Sequence, residues 1–242
     1  MKIVVLAGGL SPEREVSLSS GTLIANALIG RGHRVLLLDV YRGMRELPGD
    51  TGALFRDTPY PPHTVTERVP DLERLRQEVG IGNALVGPNV AALCREADRV
   101  FLALHGAMGE NGQLQAYLDS QCIGYTGSGY AGCLLAMDKE LSKRLFRDAG
   151  IPTPEWVWFD TESGSADALS ARIGLPCVVK PNDCGSSVGV SIVETREALR
   201  EALAEAAKWG RRVLVEKKIT GRELTVGVLD GRALPPVEII PE

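Results

Sequence analysis

The sequence lacks the features that mark several common classes of protein. No apolar run approaches the roughly 20 residues that a membrane-spanning helix needs, and the 242 residues carry a net charge of only −4 at pH 7. This balance implies no bulk attraction to nucleic acid or to an anionic membrane. The apolar stretch from Lys2 to Ala7 is too short for a signal-peptide core. We therefore expect a cytoplasmic protein whose partners include neither nucleic acid nor membrane.

Cysteine pairs and nucleotide-binding motifs are also scarce. The five cysteines form no C-x-x-C pair, and an odd number does not suggest a disulfide framework, so reduced and mostly buried thiols are expected. The P-loop pattern G-x-x-x-x-G-K-[ST] is missing, which excludes that route to ATP. The segment from Gly127 to Gly132 matches G-x-G-x-x-G, a dinucleotide fingerprint. It does not follow the first strand, so alone it is weak evidence.

The residue pattern that is present begins as strand, helix and strand. Lys2–Ala7 reads as a strand, an apolar-periodic segment runs from about Val16 to Ile29, and a second strand is expected over Arg34–Val40. This start predicts an open parallel sheet with its site at the carboxyl ends of the strands. Residues 42 to 70 show no clear period and are expected to be irregular. Helices are expected further on over 71–79 and 89–97, and a buried strand over 99–104.

The pattern changes near Asp138. A helix is expected over 139–149, followed by short strands and one more helix, which suggests an antiparallel α+β lobe. The strands are expected over 177–180, 188–193, 213–216 and 224–229, and the helix over 195–209. Asp230-Gly231 is expected to be a hairpin turn. The last segment, from Val237, is expected to be a strand without a partner that exposes Val237, Ile239 and Ile240.

The most informative motif is K-P-N-D-C-G-S-S-V-G, from Lys180 to Gly189. A lysine closes an apolar strand and small residues follow it. Backbone N–H groups and the hydroxyls of Ser186 and Ser187 can approach phosphate oxygens there, with Lys180 as a point charge. By itself, a glycine-rich hairpin with a solvated lysine explains the segment equally well. Cys184 has no histidine or other base near it in sequence, so it is assigned no role.

A second motif is the strand end V-L-V-E-K-K-I over 213–219. Such an end can present backbone groups to the edge of an adenine, and a carboxylate further on, Glu223, can reach ribose hydroxyls. Taken alone, a solvated strand end is the better explanation, because charge runs usually face water.

Two glycine-rich loops leave strands of the first region. In the loop after Gly8-Gly9, Glu15 can accept a substrate ammonium, although Glu13 and Glu15 would also suit a helix N-terminus. The other loop, H-G-A-M-G-E-N-G, starts at His105, whose position suits substrate contact or proton handling. A lone histidine is more often structural.

Taken together and in order, these segments resemble the D-alanine–D-alanine ligases of the ATP-grasp class. The likeness covers nearly the whole chain, the exception being residue 42 to about residue 88. It rests on residues 8–9, 11–17, 105–106, 109–112, 125–129, 137–139, 180–189 and 215–217. Several motifs in the right order are far more specific than any one of them. The resemblance therefore favours functional roles for these residues over a solvated hairpin, a solvated strand end or a structural histidine.

The resemblance implies that the protein uses ATP to join two D-alanines through an acyl phosphate, for peptidoglycan precursor synthesis, as a homodimer. Residues 1–137 would be a Rossmann-like parallel-sheet (pre-ATP-grasp) domain that binds substrate. Residues 138–217 would be the central α+β ATP-grasp lobe, and residues 218–242 the start of an incomplete C-terminal lobe.

The resemblance also implies the site residues. Glu15 would bind the ammonium of the first D-alanine, with His105 nearby, and Ser186 would help to orient the substrate side of the phosphate loop; Glu15 and Ser186 would be the catalytic residues. The residues implied to hold ATP are Lys139 and Lys180 at the phosphates, Gly185, Ser186 and Ser187 in the closing loop, Glu216, Lys217 and Ile219 at adenine, and Glu223 at ribose.

The family continues for about another hundred residues, and that part holds the ligands for Mg²⁺ (or Mn²⁺). The chain is therefore expected to be part of a longer ligase and inactive alone. Two alternatives come from other classes: a non-catalytic nucleotide- or amino-acid-binding module that natively ends near residue 242, and an NAD-dependent oxidoreductase based on Gly127–Gly132. The residues do not decide whether the second substrate is D-alanine, D-serine or D-lactate.

Overall fold

The computed structural model describes residues 1–65, 69–164, 166–185 and 188–240, without the side chain of Asp167. The chain divides into two compact units. Unit 1 comprises Met1–Ala149 together with Asn182–Val188, and unit 2 comprises Gly150–Pro181 and Gly189–Glu242. No helix among the described residues is long and apolar enough to cross a membrane. The division into three parts at residues 137 and 217 stays a prediction.

Unit 1 is built on a three-stranded parallel sheet. Its strands are β1 (Lys2–Ala7), β2 (Arg34–Asp39) and β3 (Arg99–Leu102), in the order β2-β1-β3. Leu6 of β1 lies opposite Leu38 of β2 and Leu102 of β3. Strand β1 is central and apolar at nearly every position, as expected for a parallel strand that is covered on both faces. The predicted parallel start is confirmed.

Six helices of unit 1 lie within the described residues: α1 (Arg14–Gly30), α2 (Leu72–Val79), α3 (Val90–Arg95), α4 (Gln113–Ser120), α5 (Tyr130–Met137) and α6 (Lys139–Asp148). Short 3₁₀ turns lie at Thr51–Leu54 and Ala107–Gly109. Helix α1 approaches the sheet closely, because a Cβ atom on Gly21 would stand only 2.6 Å from the Cβ of Ala7. The residue pattern predicts neither α4 nor α5.

The two faces of this sheet bury different residues of the same strands. Val4 and Leu6 of β1 pack in a core with residues of α3 and α4, such as Leu93 and Leu114. Ile3 and Val5, which alternate with them, pack on the other face against Ala25 of α1 and its neighbours. Unit 1 is therefore layered helix, sheet and helix, and the carboxyl ends of its strands carry the loops of interest.

Unit 2 contains a four-stranded antiparallel sheet. Its strands are β4 (Trp156–Asp160), β5 (Cys177–Pro181), β6 (Ser191–Val193) and β7 (Arg212–Lys217), in the order β4-β7-β5-β6. Helices α7 (Ala166–Ile173) and α8 (Arg196–Ala207) cover one face of it. Helix α8 begins after Thr195, whose Oγ1 accepts a hydrogen bond from the N–H of Ala198 at 3.2 Å. The predicted antiparallel lobe is confirmed, although β4 and α7 were not expected.

The end of the described chain forms two small antiparallel pairs. Strands β9 (Val228–Leu229) and β10 (Arg232–Ala233) are joined through Asp230 and Gly231, whose φ angles of 49° and 74° make the predicted hairpin turn.

The expectation that the strand from Val237 lacks a partner is wrong. Strand β11 (Val237–Ile239) pairs with β8 (Glu223–Thr225), because the turn at Asp230 and Gly231 brings the segments on its two sides antiparallel: Leu229 lies opposite Arg232 and, further from the turn, Thr225 lies opposite Val237. The predicted exposure of apolar side chains in this segment is nevertheless found, since Val237 is 60%, Ile239 44% and Ile240 79% accessible.

Candidate functional site

The loops at the carboxyl edge of the unit 1 sheet are tied together by one buried hydroxyl. Strand β1 is followed by Gly8 and Gly9, whose φ angles of +74° and +83° favour glycine. The hydroxyl of Ser17 on α1 accepts a hydrogen bond from the N–H of Gly8 at 2.9 Å and donates to the carbonyl of Ala103 at 2.7 Å. It thereby joins the end of β1 to the segment that follows β3.

Glu15 lies in the first turn of α1, at this edge. Its Oε2 is 2.8 Å from Nε2 of His63, and its Oε1 is 3.9 Å from Nε of Arg14. The positive end of the helix dipole adds to the potential that favours an anion here. The Glu15 side chain stays 26% accessible. It is therefore a partly buried carboxylate that can still meet a cationic group, as its predicted role requires.

His63 is a neighbour of Glu15 that the sequence patterns did not predict. It belongs to the irregular segment between β2 and α2, where the residues show no period and carry no motif of the resembled family. The signal that could have drawn attention to it is the pair of prolines, Pro61 and Pro62, which restricts the chain just before a histidine.

Arg14, next to Glu15, is almost completely buried. Its side chain forms an ion pair with Asp39 at the end of β2 and donates to the carbonyl of Gly9 at 2.9 Å. Asp39 also accepts from the N–H groups of Tyr41 and Arg42 at 2.9 and 3.0 Å. The pair therefore fixes the loop after β1 against the loop after β2.

His105 lies in the loop after β3, as predicted. Its Nε2 is 3.1 Å from the hydroxyl of Ser20 on α1. A Cβ atom on the next residue, Gly106, would stand 2.4 Å from a carboxylate oxygen of Glu13, so this loop runs directly against the loop after β1. The structure thus places Glu15, in the first turn of α1, and His105, in the loop after β3, at the same sheet edge, and His105 contacts Ser20 of α1.

Described residues of unit 1 line cavities near this edge, of which two bear on the site. One cavity, of ≈ 230 Å³, is lined by Arg14 and Glu15 of α1. Its other charged residues include Arg42, after β2, and Asp71, just before α2. The other, of ≈ 380 Å³, lies beside Leu102 and is lined by part of the G-x-G-x-x-G match. That match follows a single parallel bridge between Val100 and Tyr125 rather than the first strand.

Lys139 stands at the start of α6, against the segment that follows β5. Its Nζ donates to the carbonyls of Asn182 and Cys184. The side chain of Asn182 accepts from the N–H of Glu140 at 3.1 Å, in the first turn of α6. Lys139 and the middle of the predicted phosphate loop, from Asn182 to Gly185, therefore lie together in unit 1. Ser186 and Ser187 lie outside the described residues.

Asn182→Ala should lower the stability of unit 1 by about 1–2 kcal/mol, because the N–H of Glu140 at the start of α6 loses a buried acceptor. Urea unfolding followed by tyrosine absorbance measures this, since all five tyrosines lie in unit 1. Asn83→Ala, at an exposed position of the same unit, is the control and should leave the midpoint unchanged. Equal midpoints for both variants would contradict the assigned contact.

In unit 2, Lys180 is the last residue but one of β5 and forms an ion pair with Glu216 of β7, the neighbouring strand. The sequence patterns place these two residues in different parts of one nucleotide site, and they do not show that they touch. Lys217 pairs with Glu155, and its N–H donates to the carbonyl of that residue at 3.0 Å. Ile219 and Glu223 are both exposed, beyond the end of β7.

Metal ligands are not gathered in the part of the chain that the structure describes. Among those residues, no three His, Cys, Asp or Glu side chains are arranged to hold an ion. No residue of that part is therefore assigned to the Mg²⁺ that the family resemblance implies.

The cysteines are all free. Cys94 and Cys177 are buried and Cys133 is half-buried, but Cys122 is exposed, contrary to the expectation for that thiol. Burial raises the pKa of Cys184; nearby Asp183 raises it further, while Lys139 lowers it. A thiol with a raised pKa stays protonated at neutral pH, which agrees with assigning it no nucleophilic role.

Known proteins match both units of this chain. A family model described as the D-ala D-ala ligase N-terminus matches residues 2–128, and one described as the D-ala D-ala ligase C-terminus matches residues 145–242. The D-alanine–D-alanine ligase of Pediococcus pentosaceus is 41% identical over 248 residues, which cover 99% of this chain and 69% of that protein. That of Lacticaseibacillus casei is 38% identical, with coverages of 99% and 67%.

A solved structure gives the same result. The ligase of Bacillus anthracis in complex with ATP has a TM-score of 0.70 and 28% identity, over 100% of this chain and 67% of that one. This chain therefore spans about two thirds of the relatives it matches. The parallel sheet of unit 1, the antiparallel sheet of unit 2 and these matches confirm the predicted fold class, a pre-ATP-grasp domain followed by an ATP-grasp lobe. The chain belongs to the D-alanine–D-alanine ligase family.

Proposed function

We propose that this chain binds ATP and the first D-alanine in a reaction that joins two D-alanines to D-alanyl-D-alanine, releasing ADP and phosphate. The observation that carries the proposal is the match of both family models to the two ends of the chain. The Glu15 carboxylate at the carboxyl edge of a parallel sheet supports it, because ligands of open α/β sheets bind at that edge.

In this proposal, the carboxylate of the first D-alanine takes the γ-phosphoryl group of ATP and becomes an acyl phosphate. The amine of the second D-alanine then attacks the acyl carbon, and phosphate leaves. The chain's own residues orient and neutralise charge, because such a transfer depends on positioning and electrostatics more than on covalent help. Glu15 pairs with the ammonium of the first D-alanine and so leaves its carboxylate free to react, with His105 on the adjoining loop.

ATP is proposed to be bound by Lys139 of α6, by the phosphate loop and by residues of β7 and beyond. Lys139 and Lys180 neutralise the phosphates, and the loop from Gly185 through Ser186 and Ser187 closes over them. Glu216, Lys217 and Ile219 meet adenine and Glu223 meets ribose. The matched structure of the Bacillus anthracis ligase holds ATP. Because Lys180 is paired with Glu216 in this structure, ATP must compete for that cation.

The wider setting follows from the reaction. We place the protein in the cytoplasm, where it takes part in the synthesis of peptidoglycan precursors as a homodimer. The reaction requires Mg²⁺, whose ligands are not assigned to any described residue. The family assignment favours this function over a non-catalytic binding module and over an NAD-dependent oxidoreductase.

Glu15→Gln tests the substrate site. The change keeps the shape and removes the charge, so the KM for the first D-alanine should rise about tenfold or more, while the KM for ATP changes little, since hydrogen bonds to charged groups are the strong ones. Steady-state kinetics of the native protein that contains this chain measure both constants. Glu73→Gln, in the first turn of α2, is the matched control. Equal rises in both KM values would mean that Glu15 supports only the start of its helix.

A further inference from the structure

We infer that the ≈ 380 Å³ cavity beside Leu102 binds a small organic cation, in which an ammonium group is attached to an apolar body. The cavity is lined by residues of β3, α4 and α5, all of which belong to unit 1. Its volume falls in the range of small-molecule sites and is far larger than the space that one water needs. The inference goes beyond the proposed function, because none of the described residues proposed to hold ATP or the first D-alanine lines this cavity.

A buried amide in the cavity wall carries an acceptor without a partner. Gln115 of α4 is only 3% accessible, and its Nε2 donates to the carbonyl of Gly109 at 2.7 Å. That bond fixes the orientation of the amide, since a carbonyl must meet the amide nitrogen rather than the amide oxygen. The other amide atom, Oε1, has no hydrogen-bond partner among the described residues. A buried acceptor in this state is costly, so the occupant of the cavity is expected to supply a donor.

Glu110 gives the cavity a negative charge. It is the one charged side chain among the described residues of the lining, and no described residue forms an ion pair with it. Its field reaches the cavity wall, since the pKa of the Cys133 thiol is raised by burial and then by Glu110. A half-buried carboxylate without a cation favours a positively charged occupant, because a buried charge is costly unless it is paired.

The other polar groups of the wall do not take the place of such an occupant. The hydroxyl of Thr126 accepts from the N–H of Leu102 at 3.2 Å, and the thiol of Cys133 donates to the carbonyl of Ser128 at 3.5 Å. Neither lysine nor arginine is present among the described lining residues to neutralise Glu110. The wall therefore presents acceptors and a negative charge, which match a cationic donor.

Much of the remaining wall is apolar, and this excludes a bare inorganic ion as the occupant that fits best. Leu102, Leu104, Ala136 and Met137 contribute hydrocarbon and thioether surface. An apolar body would remove this surface from water, whereas a metal ion would leave it wet. Within the part of the chain that the structure describes, no three metal-ligating side chains are gathered. The cavity thus fits an organic ammonium.

Titration of 2-phenylethylammonium into the native protein that contains this chain tests the inference. Met137 lines the cavity, so its ¹³C-labelled methyl resonance, which Met137→Leu identifies, should shift with a Kd of about 1 mM or lower. 2-Phenylethanol, with a similar body and no charge, should bind at least about tenfold more weakly, and the anion 3-phenylpropionate should cause no shift. An unmoved Met137 resonance at about 10 mM amine, or equal shifts with all three compounds, would overturn the inference.

Two substitutions separate the effect of the charge from a general loss of structure. Glu110→Gln should weaken binding of the amine about tenfold and that of the alcohol less than about threefold, because only the amine loses an ion pair. Gln115→Leu removes the free acceptor and should weaken both compounds by about three- to tenfold. Glu73→Gln and Gln77→Leu, at exposed positions of α2, are the matched controls and should have no effect.

Equal losses for the amine and the alcohol in Glu110→Gln would overturn the role of the charge. Unchanged binding of both compounds in Gln115→Leu would overturn the role of the amide. The comparison of the three compounds uses the wild-type protein, so it decides the inference even where a variant does not fold.

Competition separates this cavity from the proposed substrate site. Glu110 also lies near the phosphate loop, since one of its oxygens would stand 3.6 Å from a Cβ atom on Gly185. Saturating D-alanine should nevertheless leave the titration of 2-phenylethylammonium unchanged within about twofold, because the two ligands occupy different sites. Displacement of the amine by D-alanine would place it in the substrate site and overturn the inference. A protein that binds the amine but releases no phosphate with ATP and D-alanine would overturn the proposed function alone.

Discussion

Replacing Arg14 by methionine is expected to lower the free energy of unfolding of unit 1 by about 3–5 kcal/mol. Arg14 is only 6% accessible, and its guanidinium forms an ion pair with Asp39 and donates to the carbonyl of Gly9. Methionine fills much of the same volume but leaves the Asp39 carboxylate without its cation in a region that water barely reaches. The loss is large because the desolvation of Asp39 remains while the attraction that offset it is gone.

The aromatic residues of the chain allow this effect to be assigned to one unit. All five tyrosines lie in unit 1 and all three tryptophans in unit 2. In urea unfolding, the transition followed by tyrosine absorbance should move to lower urea, and the transition followed by tryptophan fluorescence should move much less. Arg74→Met breaks an exposed pair with Glu78 and should cost well under 1 kcal/mol. A loss for Arg14→Met no larger than for this control would show that the buried pair does not stabilise unit 1.

Replacing Lys180 by alanine is expected to weaken ATP binding by tens-fold. A phosphate contact by a charged donor is worth on the order of 1.5–3 kcal/mol, and we propose Lys180 as such a donor at the end of β5. Lys180 lies near the strand end and is partly accessible, but its removal takes the cation from the buried Glu216 carboxylate, so unit 2 should lose some stability and the fold of each variant is measured beside ATP affinity. Isothermal titration of ATP into the native protein that contains this chain measures the change in affinity.

Two further variants complete this test: a control lysine in unit 2 and the second proposed phosphate contact, in unit 1. Lys208→Ala removes a lysine from an exposed pair at the end of α8 and should leave ATP affinity unchanged. Lys139→Ala, at the other proposed phosphate contact, should weaken ATP binding in the same direction. Tryptophan fluorescence shows whether unit 2 remains folded in each variant. Affinity that survives both Lys180→Ala and Lys139→Ala would contradict the proposed phosphate site.

Much of the first sheet could be predicted from the sequence, because its signals are local. Strand β1 is a short apolar run followed by glycines. The apolar positions of α1 recur with the period of a helix, and glycine ends that helix. Helix α5 had no such signal. It is apolar around most of its circumference and none of its residues is buried, so no polar and apolar faces could be told apart. The pairing of β11 with β8 extends the hairpin at Asp230-Gly231 past β9 and β10, so the residue pattern that predicts the turn also contains this partner.

The candidate site divides in the same way. Glu15, His105, Lys139 and Lys180 could be singled out as candidates because each stands in a short motif beside a strand or helix end; their roles stay predictions. The contact of His63 with Glu15 could not, because it joins residues 48 positions apart through a segment with no period. The ion pair between Lys180 and Glu216 depends on the register of β5 against β7, which short-range patterns do not contain.

The contact of Asn182 with α6 limits where this protein can be shortened. Asn182 belongs to unit 1, where it meets the start of α6, although 32 residues of unit 2 precede it after Ala149. A gene fragment ending at Ala149 would therefore encode an α6 that lacks the acceptor for the N–H of Glu140. Supplying that acceptor requires either a synthetic peptide that covers Asn182–Val188, added in trans, or a short engineered linker that fuses those residues behind Ala149.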